Sequence, residues 1–400
     1  MRMSRFATRS LRMLFCLLFA TLGLLAQAQA QKAQATYEDK RRQANDIAVS
    51  IVVSGLSCTC ARFAEDIRNV VNDLRPDGLR VLPVLGVGGL QNLNDVLFLR
   101  GIDMGVVDED NLQILKKRDP QLYANIEQRV QYITKLYNSE FHVVARNDIK
   151  SYEDLRGKKV NFNLKDSQTE VTADIIFKML NIDVERSNYD NDEAIRRLRN
   201  DEISAMIVLT GAPQAALVKL VTEDGVHFLP LDEQSVPAPN NTAAIFNNYL
   251  PIKLTHDEYP ALISEERSVP TIGNRALLVT YAWPENSPRY HRITKFVREF
   301  FGKIDQFKNG SRHPKWREIN VAAEMPGSDT VQTGCRLDRE NGKVAVSQSN
   351  GVAQSGNLKG IFEQCVSERA ASTGQKTLSD SERRMLFYEF QQFLAAQNRQ

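Results

Sequence analysis

Ile51-Val52-Val53-Ser54-Gly55-Leu56-Ser57, followed by Cys58 and Thr59, is a β-branched apolar run that ends in a loop of small and hydroxyl-bearing residues. After it, Cys60, Phe63, Ala64, Ile67, Val70, Val71 and Leu74 fall at helical spacing and make one apolar face. A buried strand thus empties through a hydroxyl loop into an amphipathic helix. The arrangement returns about a hundred residues later, where Val160-Asn161-Phe162-Asn163-Leu164 leads into Ser167-Gln168-Thr169 and a helix over Val171 to Leu180. Backbone N–H groups at a helix N-terminus, with the helix dipole behind them, make an anion site. Two such termini facing each other would grip one small anionic molecule across a cleft, which is the work of a binding protein rather than an enzyme.

Around these two units the chain alternates strands and helices, the pattern of an α/β fold with a largely parallel sheet. Further strands are expected over Leu79 to Leu85, Ile102 to Val107, Phe141 to Ala145, Ser204 to Leu209, His227 to Leu231 and Ala276 to Ala282. Helices are expected over Gln91 to Phe98 and Asp192 to Asn200, and a long one carries Tyr290, Ile293, Val297, Phe300, Ile304 and Phe307 on one face. Past Gly327 the chain turns rich in Ser, Gly, Gln and Asn, until Ser379 and Glu382 make a capping box for a terminal helix with Leu386, Phe390, Phe393 and Leu394.

The N-terminus reads as an address rather than as fold. Arg2, Arg5, Arg9 and Arg12 precede an apolar run from Met13 to Leu25, and Ala26-Gln27-Ala28-Gln29-Ala30 offers small-residue cleavage sites. The run is too short to span a bilayer, which takes about 20 residues. Cleavage near Ala30 leaves an exported protein without a membrane span. The whole chain carries 51 basic and 49 acidic residues, and loss of the four leader arginines leaves a near-neutral protein without the basic excess of a nucleic-acid binder. Of the five cysteines, four survive processing. In an oxidising compartment Cys335 and Cys365 are the expected disulfide. A bridge between Cys58 and Cys60, only two positions apart, is expected to be strained.

The order of segments resembles the TAXI-type solute receptors of TRAP transporters. The resemblance is carried by Ser54-Gly55-Leu56-Ser57 with Ala61-Arg62-Phe63-Ala64-Glu65-Asp66-Ile67, then Arg80-Val81-Leu82-Pro83-Val84-Leu85-Gly86 with Gln91-Asn92, and Arg100-Gly101-Ile102-Asp103-Met104-Gly105. It continues through Ile133-Thr134-Lys135-Leu136-Tyr137-Asn138, Glu140-Phe141-His142-Val143, Asp154-Leu155-Arg156-Gly157-Lys158-Lys159-Val160, Lys253-Leu254-Thr255-His256 and His313-Pro314-Lys315-Trp316. It implies a two-lobed type II periplasmic binding protein fold with a ligand cleft between lobes and a C-terminal helical extension. Residues 1–30 would be the signal peptide, 31–148 and 272–330 a discontinuous lobe 1, 149–271 lobe 2, and 331–400 the extension. The crossings between lobes are expected near Ala145–Lys150 and Ile272–Leu278. Cys58 and Cys60 stand where the family has glycine and tyrosine, and Leu164 to Thr169 replace a glycine-rich loop.

The resemblance also implies a function: a periplasmic receptor that closes on a small, carboxylate-bearing, anionic metabolite and presents it to a TRAP-type permease. The ligand-binding set would be Ser54, Gly55, Ser57, Thr59, Gln91, Asn92, Ser167, Gln168 and Thr169, with Asn138 and Thr210 as weaker additions. Capping alone also explains hydroxyls at a helix start, and the two roles are compatible. Cys58-Thr59-Cys60 could be redox-active or bind a soft metal, but no Met or His cluster accompanies it, so small core or wall side chains are the expectation. Lys165 and Arg275 are candidates to meet a carboxylate, and His142, on an apolar strand, reads as a core histidine. The five histidines are scattered, with no catalytic constellation, metal site or cofactor motif to defend. The alternative reading is a periplasmic sensor or interaction protein derived from such a receptor, its terminal helix docking on a partner.

Overall fold

The computed structural model describes residues 36–73, 75, 78–232, 235–236 and 242–319. The leader, the 331–400 extension with its terminal helix, and the Cys335–Cys365 pairing lie outside the described residues. Residues 36–46 form helix α1, exposed along its length, which belongs with the turn joining Gly78 N–H to Arg75 O to a small unit of its own.

The larger unit is built on one mixed sheet with the strand order β2-β1-β3-β10-β4-β7-β5-β6. Its first block comprises β1 (Ala48–Val53), helix α2 (Thr59–Val71), β2 (Arg80–Leu85), α3 (Gly89–Phe98) and β3 (Met104–Asp108). Short helices α4 (Asn111–Arg118) and α5 (Ile126–Arg129) follow. β1 and β3 run parallel, Ile51 opposite Met104, and β1 is buried from Val49 on, which is why it reads as a continuous apolar run. The long strand β4 (Val130–Arg146) then leads into a second parallel block: β5 (Lys159–Asn161), α6 (Gln168–Leu180), β6 (Glu185–Ser187), α7 (Asn191–Arg199) and β7 (Ala205–Thr210). β8 (Val226–Phe228), α8 (Thr242–Asn248) and β9 (Leu250–Thr255) complete it. The chain returns through the long strand β10 (Ser268–Tyr281) to α9 (Pro288–Gly302), α10 (Ile304–Phe307) and a 3-10 turn at Pro314–Glu318.

Helix boundaries follow side-chain chemistry. Ser167 caps α6 by accepting from Glu170 N–H, Asp190 caps α7 through Glu193 N–H, and Ser287 caps α9 with Pro288 at its first position. Asn181 ends α6 in the left-handed region at φ 55°. Each helix turns its apolar face to the sheet: Phe63, Ile67 and Val71 of α2 share one core with Ile51, Val53, Phe296 and Phe300, while Phe177 and Leu180 of α6 pack with Val160, Phe162 and Ile207 in another.

Strands β4 and β10 join the blocks. β10 pairs with β9 over Ser268–Gly273 and with β3 over Ala276–Thr280, while β4 pairs with β7 over Glu140–Ala145. β4 thus passes from pairing with β10 to pairing with β7 at Glu140, and β10 from pairing with β9 to pairing with β3 between Gly273 and Ala276. The strand expected over Phe141 to Ala145 covers only the C-terminal part of β4. Thr134, Lys135, Ser139 and Glu140 are buried polar residues, so the first half of β4 lacks the apolar pattern that marks a strand.

Candidate functional site

The first hydroxyl loop is clasped to the second block, whereas the hydroxyls of the second loop are spent within their own block. Thr59 is buried, its N–H donating to Thr210 Oγ1 at 3.2 Å and its hydroxyl to Gly211 O at 2.6 Å. Ser57 Oγ accepts from Asn191 Nδ2 at 3.1 Å, and Ser57 O from Gln214 Nε2 at 2.9 Å. On the other side Ser167 caps its own helix and Thr169 Oγ1 accepts from Leu209 N–H at 3.0 Å. Gly55 O accepts from Cys58 N–H, and Ser54 Oγ lies under Gly88, where a Cβ would stand 2.1 Å from it. Asn92 is fully buried and spends its amide on Val106 O and Gly88 N–H, whereas Gln91 is exposed and bonds Asp95.

Cys58 and Cys60 are joined as a disulfide, with Cα atoms 5.2 Å apart. The expected strain does not keep them unbridged, because extended Cys58 is the N-cap of α2 and the turn into the helix brings its partner within the ordinary Cα span of a disulfide. Cys58 Sγ accepts from Cys60 N–H, and Cys60 Sγ from Ser54 N–H.

A further polar convergence lies where β3, β4 and β10 meet the start of α6. Asp108 ends β3, Glu109 and Asp110 follow, and Asp110 precedes α4. Gln168 Nε2, from the second block, donates to Asp110 Oδ1 at 3.1 Å and to Thr172 Oγ1. Asn274 Nδ2 lies near Asp110 without reaching hydrogen-bond geometry, and Ser139 stands beside Asp108. Arg275, in register with Asn138, holds Glu109 through contacts of 2.6 and 2.9 Å. Lys165 is exposed on its loop.

Charge here is costly. Burial, then the neighbouring Asp110, holds the Asp108 carboxyl well above the usual carboxylate range, against the pull of Ser139. Burial pushes Asp110 up to about 6, Asn274 and Gln168 opposing and Glu109 adding to the rise. Among the described residues, several buried atoms of this region have no hydrogen-bond partner: Asp108 Oδ1, Asp110 Oδ2, both amide atoms of Asn111, Gln168 Oε1 and Asn274 Nδ2. Buried polar atoms are normally paired, so a cluster of exceptions is informative.

Residues 87–324, more than half of the chain, match the NMT1-like family. The chain belongs to the NMT1-like family. Solved structures with similar elements are distant from this NMT1-like protein. They include a ligand-binding component of an ABC-type import system from Staphylococcus aureus, with zinc bound (10% identity, 74% of this chain and 91% of that one, TM-score 0.40). Others are the periplasmic aliphatic sulphonate binding protein SsuA from Escherichia coli (13%, 65% and 75%, 0.35) and the Synechocystis CcmR regulatory domain in complex with 2-PG (12%, 62% and 95%, 0.37). Likenesses this remote say nothing about the ligand of the NMT1-like chain.

The sequence singled out Asn138, Gln168 and Arg275, but not Asp108-Glu109-Asp110. A signal for them existed. Three acidic residues directly follow a buried strand, and the carboxyl ends of strands in α/β sheets are where ligands bind.

Proposed function

We propose that this NMT1-like protein is a periplasmic solute receptor of the TAXI type, which encloses a small carboxylate-bearing metabolite by closure of two lobes and delivers it to a TRAP-type permease. Lobe 1 would comprise 31–148 and 272–330, and lobe 2 would comprise 149–271. The supporting observation is that polar groups from four separate elements (the β3–α4 loop, β4, β10 and the N-terminus of α6) converge where the two long strands pass between blocks. Arg275 and the dipole of α6 are the features suited to a carboxylate. Ser54, Gly55, Ser57, Thr59 and Thr210 would act mainly by holding the closed state, and Ser167, Gln168 and Thr169 by presenting the start of α6. No helix among the described residues is long and apolar enough to cross a membrane.

The test is calorimetric titration of the purified chain with dicarboxylates, 2-oxo acids and amino acids. Saturable binding of one class, weakened by Arg275→Ala, supports the reading. Absence of binding across the series by a folded protein would overturn it.

A further inference from the structure

We propose that Asp108 and Asp110, with the amide oxygen of Gln168, form a subsite for a primary ammonium group on the ligand. This inference rests on the receptor reading above and narrows it: the ligand carries a cation as well as its carboxylate.

The first argument is hydrogen-bonding sense. The unpartnered buried atoms here lean toward acceptors: Asp108 Oδ1, Asp110 Oδ2, Gln168 Oε1 and Oδ1 of the adjacent Asn111, against the two donors Asn274 Nδ2 and Asn111 Nδ2. Both decisive amides have their orientation set by neighbours. Gln168 must turn Nε2 to the carboxylate of Asp110, which leaves Oε1 over, and Asn274 Oδ1 is engaged by Arg275 N–H. An ammonium presents three donors and no acceptor, which is the complement of this wall.

The second argument is charge. Asp108, Glu109 and Asp110 are consecutive, and only Glu109 has a basic partner, Arg275. Neither Asp108 nor Asp110 takes part in a salt bridge among the described residues. A carboxylate alone, placed against these two, would meet like charge. A cation would relieve their mutual repulsion, and charge-assisted hydrogen bonds are the strong ones.

The third argument separates this from an ordinary acidic surface. Gln168 and Asn274 are each only 6% exposed, yet each keeps a polar atom unpartnered beside Asp110. Gln168 belongs to the second block and reaches Asp110 of the first across 58 positions of sequence. Groups buried from both sides around unpaired carboxylates are built toward an occupant that pairs with them.

Matched probes test the inference on the full purified chain. Butylammonium chloride, putrescine and 4-aminobutyrate are compared with sodium butyrate, and with sodium and calcium chloride at equal ionic strength, by thermal shift and calorimetry. The expected result is that 4-aminobutyrate binds more tightly than butyrate and that the ammonium probes protect the wild type. Asp108→Asn and Asp110→Asn should each weaken the 4-aminobutyrate interaction by about ten- to a hundredfold, the loss expected for a hydrogen bond to a charged group. Gln168→Met, which leaves both carboxylates in place, serves if either aspartate variant misfolds and should weaken the same probe. Butyrate binding equally well, with all three variants unchanged, would overturn the ammonium subsite and leave the receptor reading intact. Protection by calcium alone would overturn it in favour of a metal. Failure of both the ammonium and carboxylate series would overturn both readings.

Discussion

Gly89, the first residue of α3, lies with its Cα directly against the start of α6, so that a Cβ built on it would stand 2.8 Å from the backbone nitrogen of Gln168. The starts of α3 and α6 therefore meet at a point where no side chain fits. Gly89 also has φ +54°, in the left-handed region that suits glycine.

Gly89→Ala should force the start of α6 away from α3. The expected outcome is ligand affinity reduced about tenfold or more, with a stability loss of about 1–2 kcal/mol from the backbone conformation alone. Titration calorimetry and denaturant unfolding of the same variant separate the two effects. Unchanged affinity would show that this contact is not part of closure.

A second prediction concerns Lys315, which the 3-10 turn carries to Glu140 at the passage of β4, with Glu318 at 2.7 Å and Glu258 at 3.7 Å. Burial disfavours its charge, but Glu140 and Glu318 outweigh that and hold the ammonium above its ordinary value. Glu140 is also tied to Ala212 N–H of the second block at 2.7 Å. Lys315→Met leaves Glu140 buried without its cation and should cost about 3–5 kcal/mol. Adding Glu140→Gln should restore a large part of that loss, as read from urea unfolding. Two independent, additive losses would show the pair is not coupled.

The Cys58–Cys60 bridge closes a ring of three residues, so its entropic contribution is small. The chain-entropy relation gives about 1.6 kcal/mol. Dithiothreitol, or Cys58→Ser with Cys60→Ser, should lower the melting temperature by a few degrees, since a serine hydroxyl at the N-cap still holds the start of α2. Thiol titration of the unreduced, unfolded chain checks the premise, since two reactive thiols assigned to these positions would contradict the bridge.

The acid response of stability should carry the mark of His142. Burial pushes this imidazole down to about 4, against hydrogen bonds with the Val208 and Glu140 carbonyls, and Tyr259 Oη sits 2.8 Å from its Nε2. The unfolded chain takes up this proton near pH 6.5, long before the folded one does. The stabilising effect is thus fully present above about 6.5 and is lost as pH falls through 4. Asp110 works in the opposite sense: its raised carboxyl favours the folded state at low pH, and that advantage fades as pH rises from 3.8 to about 6. Urea unfolding between pH 4 and 7 of Asp110→Asn should show a steeper acid loss than the wild type. Parallel curves would remove Asp110 from the account.

The strand-loop-helix units at Ile51 and Val160 are legible because buried parallel strands are written as unbroken apolar runs and their helices carry a 3.6-residue face. The first half of β4 is not, because Lys135, Ser139 and Glu140 spend their polarity on the interior, where the sequence shows only an interrupted pattern. His142 reads correctly as a core histidine. The Cys58–Cys60 disulfide is hidden because spacing alone does not reveal the extended N-cap that brings Cys60 to Cys58. Asp108 to Asp110 escape notice because their meaning depends on Gln168 and Asn274, which only the fold brings beside them.

The placement of β10 has a consequence for how the chain reaches its final form. Ala276 to Thr280 complete the pairing of β3, and Ser268 to Gly273 that of β9, while Gly273 to Tyr281 line β4. The first block cannot finish its sheet until residue 280 is available. Contacts separated by well over a hundred residues must close late and slowly. In a chain of this design the first block holds an unpaired strand edge on β3 until β10 arrives.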